Sequence, residues 1–278
     1  MSEITAAAVK ALREQTGLPM MDCKRALQDA EGDQQKAVEL LRKAGAKTME
    51  KRAGRETSAG RIAVYADMDG GVGTIVDLRC ESAPVAANEE FVQLANDLAR
   101  QLATGPGAAT ADELFAQPSP SDSPRTLKDQ FDDLNNRIRE VFRVERIERI
   151  DGPCGGYAHH NGAAGVLLQV EGGSAELAKD ICMHTAAMRP VVLAKEDLDP
   201  AEVEKEREIL SEQARAEGKP EKIIEKMVEG RLRNYYAERC LVEQVFVKAE
   251  DGKTTVGKTA AAAGMKLVRF VHWELPKE

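Results

Sequence analysis

The chain has 278 residues, more than a single hydrophobic core usually holds, so at about 100–200 residues per domain it should divide into two or more modules. Its 39 Lys and Arg against 47 Asp and Glu leave a net charge of -8, which argues against binding nucleic acid by phosphate neutralisation. Aromatic residues make up only 4%, with one Trp and four Tyr, so stacking platforms for single strands or sugars are scarce. Positive charge is not segregated either: the most basic stretch, residues 47–61, also holds Glu50 and Glu56. No run of about 18 apolar residues is long enough to span a bilayer, and Met1-Ser2-Glu3-Ile4 opens neither a basic signal segment nor an Arg-rich transit peptide. A cytoplasmic protein is expected. Cys23, Cys80, Cys154, Cys182 and Cys240 are odd in number, far apart and never form Cys-x-x-Cys, which predicts reduced, mostly buried thiols and no zinc ribbon.

Residues 4–46 place apolar side chains at helical spacing in three blocks separated by turn chemistry. The first block carries Val9 and Leu12 and stops at Thr16-Gly17-Leu18-Pro19. The second spans 20–29 with Met21, Cys23 and Leu27 inward. The third is capped by Asp33, shows Ala37, Val38, Leu40 and Leu41 as a stripe, and ends at Gly45. Residues 1–46 are therefore predicted to be a three-helix docking bundle, with 47–60 a charged linker that leaves the bundle few contacts with the rest.

At residue 61 the period changes to two. Residues 61–65 and 74–80 alternate around Asp69-Gly70-Gly71, a hairpin signal, and a helix at 89–103 follows with Phe91, Leu94, Ala95, Leu98 and Leu102 on one face. Residues 104–126, with Gly105-Pro106-Gly107 and Pro118-Ser119-Pro120, read as flexible linker, and a helix at 127–138 continues toward Phe142. These make a first core subdomain, 61–150.

The same unit returns downstream: 156–160 and 165–170 flank Asn161-Gly162 and lead into a helix at 174–189. Tyr65 and Tyr157, like Gly73 and Gly165, lie 92 positions apart, which predicts an internal duplication with a concave surface between its halves. The second subdomain, 151–278, includes a projecting helical hairpin at 200–240, broken at Gly218-Lys219-Pro220, and strands at 242–247 and 267–274. The fold class is α+β: a three-helix bundle, then two related α/β subdomains with antiparallel sheets.

Reactive chemistry is hard to find. Gly252-Lys253-Thr254 lacks the upstream glycine of a phosphate loop, and Gly70-Gly71-Val72-Gly73 lies between strands and opens no helix. His159 and His160, adjacent on a strand, should face opposite ways, which weakens a metal site built with His184 and His272. No Gly-x-Ser-x-Gly, His-Glu-x-x-His or Cys with a neighbouring base occurs, so neither an enzyme nor a cofactor is expected.

Leu12-Arg13-Glu14-Gln15-Thr16-Gly17-Leu18-Pro19-Met20-Met21-Asp22-Cys23-Lys24-Arg25-Ala26-Leu27 resembles the N-terminal signature of the elongation factor Ts family. Gly156-Tyr157-Ala158-His159-His160-Asn161-Gly162, Met183-His184-Thr185-Ala186-Ala187, Ile224-Glu225-Lys226-Met227-Val228-Glu229-Gly230-Arg231 and Gln244-Val245-Phe246-Val247 extend the likeness over the whole chain. The resemblance implies a guanine nucleotide exchange factor that binds the GDP complex of elongation factor Tu, distorts its magnesium and phosphate site and promotes GDP release in translation elongation. It implies a ubiquitin-associated-like bundle, partner contacts at Leu12, Arg13, Met20, Lys24, Met183 and His184, and a magnesium-dislocating segment at Ser82, Ala83, Pro84 and Val85. That segment departs from the family's Thr-Asp-Phe-Val, so acid and ring are both missing, and Ile138-Arg139-Glu140-Val141-Phe142 departs from Ile-Gly-Glu-Asn. An adaptor or holdase that binds elongation factor Tu with lost or reduced exchange stays open as an alternative, as does a homodimer, and a hydrolase using the histidines and a metal is a third class.

Overall fold

The structure, a computed structural model, describes residues 4–276. Met1-Ser2-Glu3 and Lys277-Glu278, parts of the first and last predicted modules, lie outside the described residues. The N-terminal bundle consists of α1 (Ala6–Thr16), α2 (Met20–Asp29) and α3 (Gln34–Arg52). The Thr5 hydroxyl caps α1 by accepting the Ala8 N–H, and Asp33 caps α3 by accepting the Lys36 N–H. Val9, Leu12, Cys23, Ala26, Leu27, Ala37 and Leu41 fill its core. Met21 does not point inward as expected but is exposed.

The predicted end at Gly45 is corrected, because α3 runs to Arg52 through much of the expected linker. Gly45 marks a close approach and no termination. A Cβ there would sit 2.1 Å from Oδ1 of Asn136, on α7 (Leu127–Ile138), while Lys47, Met49, Glu50, Lys51 and Arg52 are all good helix formers.

Two three-stranded antiparallel sheets follow. The first holds β1 (Ala59–Asp67), β2 (Val72–Cys80) and β3 (Arg143–Asp151), the second β4 (Cys154–Ala158), β5 (Ala164–Glu171) and β6 (Lys266–Glu274). The spacing seen in the sequence reappears in the register. Tyr65 pairs with Thr74 and Tyr157 with Val166, and the β2–β3 irregularity at Asp77/Leu78 recurs between β5 and β6 at Gln169/Val170.

After β2 the chain forms the short α4 (Ala83–Ala86) and then α5 (Glu89–Thr104), whose Phe91, Leu94, Leu98 and Leu102 cover one face of the first sheet. In the second half α8 (Ala175–Met188), capped by Ser174, covers the second sheet through Ala178, Ile181 and Cys182. The remaining faces of the sheets pack on each other through Ile62, Ile75, Ile150, Cys154 and Leu167. The core is thus layered helix, sheet, sheet, helix.

Residues 104–126 are not an extended linker. They contain α6 (Ala111–Phe115), bury Leu114 fully and are tied to α5 through Asp97. That buried carboxylate accepts hydrogen bonds from Gln93 Nε2 at 3.0 Å, Gln130 Nε2 at 2.9 Å and the Ser121 hydroxyl. The next helix, α7, closes its N-terminus with a Thr126–Asp129 capping box and stops at Arg139, short of Phe142.

The helical hairpin is present as α9 (Pro200–Ala216) and α10 (Glu221–Arg239), sealed by its own seam of Leu210, Ala214, Ile224, Val228 and Leu232. The strand expected at 242–247 is absent. Leu241–Glu243 is a single 3-10 turn, Val245 makes an isolated bridge to Thr255, and α11 (Val256–Ala262) follows before β6.

Candidate functional site

A groove of about 840 Å³ opens where the two halves meet. One wall is the start of β1 with Ala83, Ala86 and Ala87; the other is α8 with Met183, Ala186 and Ala187; Tyr157 and His159, at the end of β4, close one side. Charges on its margin are paired within the chain. Lys248 Nζ lies 2.7 Å from Asp180 Oδ1, and Arg189 Nε lies 2.7 Å from Glu274 Oε1. What remains is a mainly apolar surface in which small side chains predominate and Met183, 37% exposed, is the long flexible one. Tyr157 Oη is 2.7 Å from His159 Nδ1, so the pair stiffens this side of the groove.

Of the segment 82–85, Ala83 and Pro84 are exposed and Ala83 lines the groove, while Val85 packs against the first core. The segment enters a short helical turn: Pro84 sits in the first positions of α4, where its missing N–H costs no hydrogen bond. Ser82 precedes it and is held from outside. Its N–H donates to Glu140 Oε2 at 3.0 Å and its hydroxyl to Glu140 Oε1 at 2.6 Å. Beside it Glu81 accepts the Val141 N–H at 2.8 Å and pairs with Arg55 at 3.1 Å. Burial pulls the Glu81 carboxyl upward, but the Val141 amide and the Arg55 guanidinium outweigh it and hold the group below its usual range. In the sequence Glu140 stands out only within a departure from the family motif; its role as the anchor of Ser82, 58 positions earlier, depends on the fold.

The predicted site residues do not all converge. Met183 joins Ala83 in the groove, but His184 is fully buried and cannot itself touch a partner in this conformation. Its Nδ1 accepts the Val247 N–H at 3.3 Å, which leaves the ring proton on Nε2 to donate to Gln244 Oε1 at 3.0 Å. Burial lowers its pKa, more than the Gln244 bond raises it, and keeps the ring neutral. Leu12 is likewise buried, in the core of the bundle. Arg13, Met20 and Lys24 are exposed, Met20 by 50%, but none of them lines the groove.

His159 and His160 lie just past the end of β4, and their rings meet at 4.3 Å between centroids instead of facing opposite ways. Among the described residues no group of three or more His, Cys, Asp or Glu could hold a metal ion, and no helix is long and apolar enough to cross a membrane. At Gly252-Lys253-Thr254 the backbone turns around Asp251, which accepts the Lys253 and Thr254 N–H groups and the Thr254 hydroxyl; these bonds, that to Lys253 foremost, lower its pKa to about 2. All five thiols are free and buried, and desolvation pushes Cys80 up to about 12 and Cys154 and Cys240 to about 11.

Residues 84–277 match the family model described as elongation factor TS. The elongation factor Ts of Clostridium botulinum (strain Eklund 17B / Type B) is 42% identical over 98% of this chain and 92% of its own length. That of Thioalkalivibrio sulfidiphilus is also 42% identical with the same coverage, and that of Kineococcus radiotolerans is 41% identical over 98% of both chains. A match to seven-tenths of the chain by the family model, and to nearly all of it by these relatives, leaves one conclusion: the chain belongs to the elongation factor Ts family of translation elongation factors.

Proposed function

We propose that this protein is a guanine nucleotide exchange factor for elongation factor Tu. The observation that carries the reading is the groove, where Ala83 from the first half and Met183 from the second share one surface whose margin charges are already neutralised within the chain. Exchange breaks no covalent bond, so a site without nucleophile, metal or cofactor suffices; binding energy need only favour the partner conformation that holds nucleotide poorly. By linkage, whatever factor the protein takes from GDP affinity, GDP takes from the affinity of the protein. In this reading the bundle docks through exposed Arg13, Met20 and Lys24, and the groove receives the GTPase domain. The segment 82–85 acts by shape, since it brings neither a carboxylate nor a ring to the magnesium site. The test is release of a fluorescent GDP from the cognate elongation factor Tu: acceleration by substoichiometric protein is expected, and an off-rate unchanged at saturating protein overturns the proposal.

The bare Ala83-Pro84 turn favours one second reading, an adaptor that binds elongation factor Tu without hastening nucleotide release. It predicts a stable complex with an unaltered GDP off-rate. The wild-type off-rate separates the two, and placing Thr-Asp-Phe-Val at 82–85 then locates the driving contact: a gain in release confined to magnesium-containing buffer shows that the native segment lacks a wedge, and no gain means that any exchange is driven from elsewhere in the groove.

A further inference from the structure

Helix α7 ends at Arg139 in the left-handed region, φ 65°, a place where glycine fits without strain and arginine does not. The side chain has a use there. Its guanidinium pairs with Asp22 of α2, and its carbonyl accepts a hydrogen bond from Arg52 Nη1, at the end of α3, at 2.5 Å. Nearly three turns back along the same seam Arg42 of α3 pairs with Asp129 of α7 at 2.5 Å. Two glycines of the bundle also make room for α7 side chains: Gly45 faces the Asn136 amide, and a Cβ on Gly17 would lie 2.6 Å from Cδ of Arg137.

Apolar packing contributes little to this seam. The buried cluster of the bundle and that of the first core share no residue, and between α3 and α7 lies a cavity of about 510 Å³ with Met49 on one side and Phe131 and Phe142 on the other. The bundle is therefore held on α7 mainly by charge. The residue after Arg139 is Glu140, whose carboxylate fixes both the N–H and the hydroxyl of Ser82, and the next, Val141, donates its N–H to Glu81, which pairs with Arg55 just beyond α3. Three consecutive residues thus tie the bundle at one end and the start of α4 at the other.

We infer that the Arg139-Glu140-Val141 turn is an ionic latch that couples docking of the N-terminal bundle on α7 to the placement of α4 at the groove mouth, and that salt opens it. Exposed ion pairs are screened within a few ångströms at high ionic strength, whereas the two apolar cores are not, so salt should free the bundle and leave both halves folded. That latch release passes a docking event at the bundle to the groove rests on the exchange reading above; the latch itself is tested without any partner.

The experiment is amide relaxation by NMR on the full chain. At low salt, bundle and core amides should share one rotational correlation time. In Arg139→Gly, where glycine suits the left-handed backbone and folding is not at risk, the bundle amides should lose that shared value and the Ser82 and Ala83 amide signals should shift; about 1 M NaCl, where the Debye length falls to about 3 Å, should do the same to the wild type. The exchanged pair Asp22→Arg with Arg139→Asp should restore the shared correlation time that either single change abolishes. Bundle amides that keep the core value in Arg139→Gly, Ser82 signals that stay put while the bundle is freed, or an exchanged pair that rescues nothing would each overturn the latch.

Discussion

Truncating His184 to alanine would strand the Val247 N–H and Gln244 Oε1 in a closed interior and open a void beside Phe246, whose ring centroid is 5.8 Å away. Unsatisfied buried groups of this kind cost about 1–3 kcal/mol each, so His184→Ala should lower the thermal midpoint measurably, and a variant as stable as the wild type would show the two bonds to be worthless. The pH dependence has a fixed sign. Burial holds the folded-state pKa of His184 below its unfolded value, and that of His272 likewise, so the unfolded chain binds protons first. Their neutral forms support the fold fully above about pH 6.5, and that support is lost as pH falls below it. Urea midpoints between neutral pH and pH 5 should fall more steeply for the wild type than for His184→Ala. The site was only half legible at this scale for a simple reason. Met183 and His184 are neighbours, one faces the groove and the other the core, and a motif match names both without saying which way either points. The stripe Ala178, Ile181, Cys182 and Thr185 is the signal that marks the buried face of α8, and His184, three residues after Ile181, falls on it.

At the scale of elements, the groove wall α4 is held by one carboxylate. Glu140→Ala removes both bonds to Ser82, and hydrogen bonds to charged groups contribute about 1.5–3 kcal/mol, discounted here because the site is only partly buried. A loss of about 1 kcal/mol in chemical unfolding is expected, together with faster amide exchange at Ser82, Ala86 and Ala87; unchanged exchange there would mean that α4 stands without its anchor. Gly230 offers the opposite case. It lies within α10 with nothing inside 4 Å of where a Cβ would go, so Gly230→Ala should stabilise the hairpin by up to about 1 kcal/mol through helix propensity alone, read as a raised thermal midpoint. Helices and hairpins with clean periodicity could be read from the sequence; the misses have local causes. In β3, Asp77 pairs with Arg146 but Leu78 with Val144, so Glu145 is an extra residue that breaks the alternation by which a strand is recognised. Residues 242–247 carry the Val and Phe content of a strand, but most of their backbone bonds go to turns and to the segment before α11, and among the described residues no neighbouring strand pairs with them.

Across the whole molecule, the relation between the two halves depends on glycine. A Cβ on Gly165 of β5 would sit 2.5 Å from Ile62 Cγ2, one on Gly156 of β4 2.7 Å from Val64 Cγ1, and one on Gly73 of β2 2.6 Å from Leu167 Cδ1. The 92-residue repeat announces two sheets but not that these glycines exist to let them touch. Near this contact the fully buried Asp77 accepts from Arg79 Nη2 at 2.9 Å and Arg146 Nε at 3.0 Å, and the Arg146 guanidinium stacks 4.5 Å over the Trp273 ring, so β2 and β3 of one sheet are tied to β6 of the other. Gly165→Val tests whether this spacing sets the site. Neither Ile62 nor the β5 backbone can give way cheaply inside a sandwich, and overpacking of this kind costs about 1–3 kcal/mol. Because Ala163 and Ala164, just before Gly165, line the groove, separation of the sheets should move its β5 side away from α4. The expected result is a lower thermal midpoint together with weaker binding of elongation factor Tu, whereas Gly230→Ala, made far from the sheets, raises the midpoint and leaves binding alone. If Gly165→Val binds as tightly as the wild type at a temperature where both are folded, the distance between the halves does not set the groove, and the two walls must recognise the partner independently.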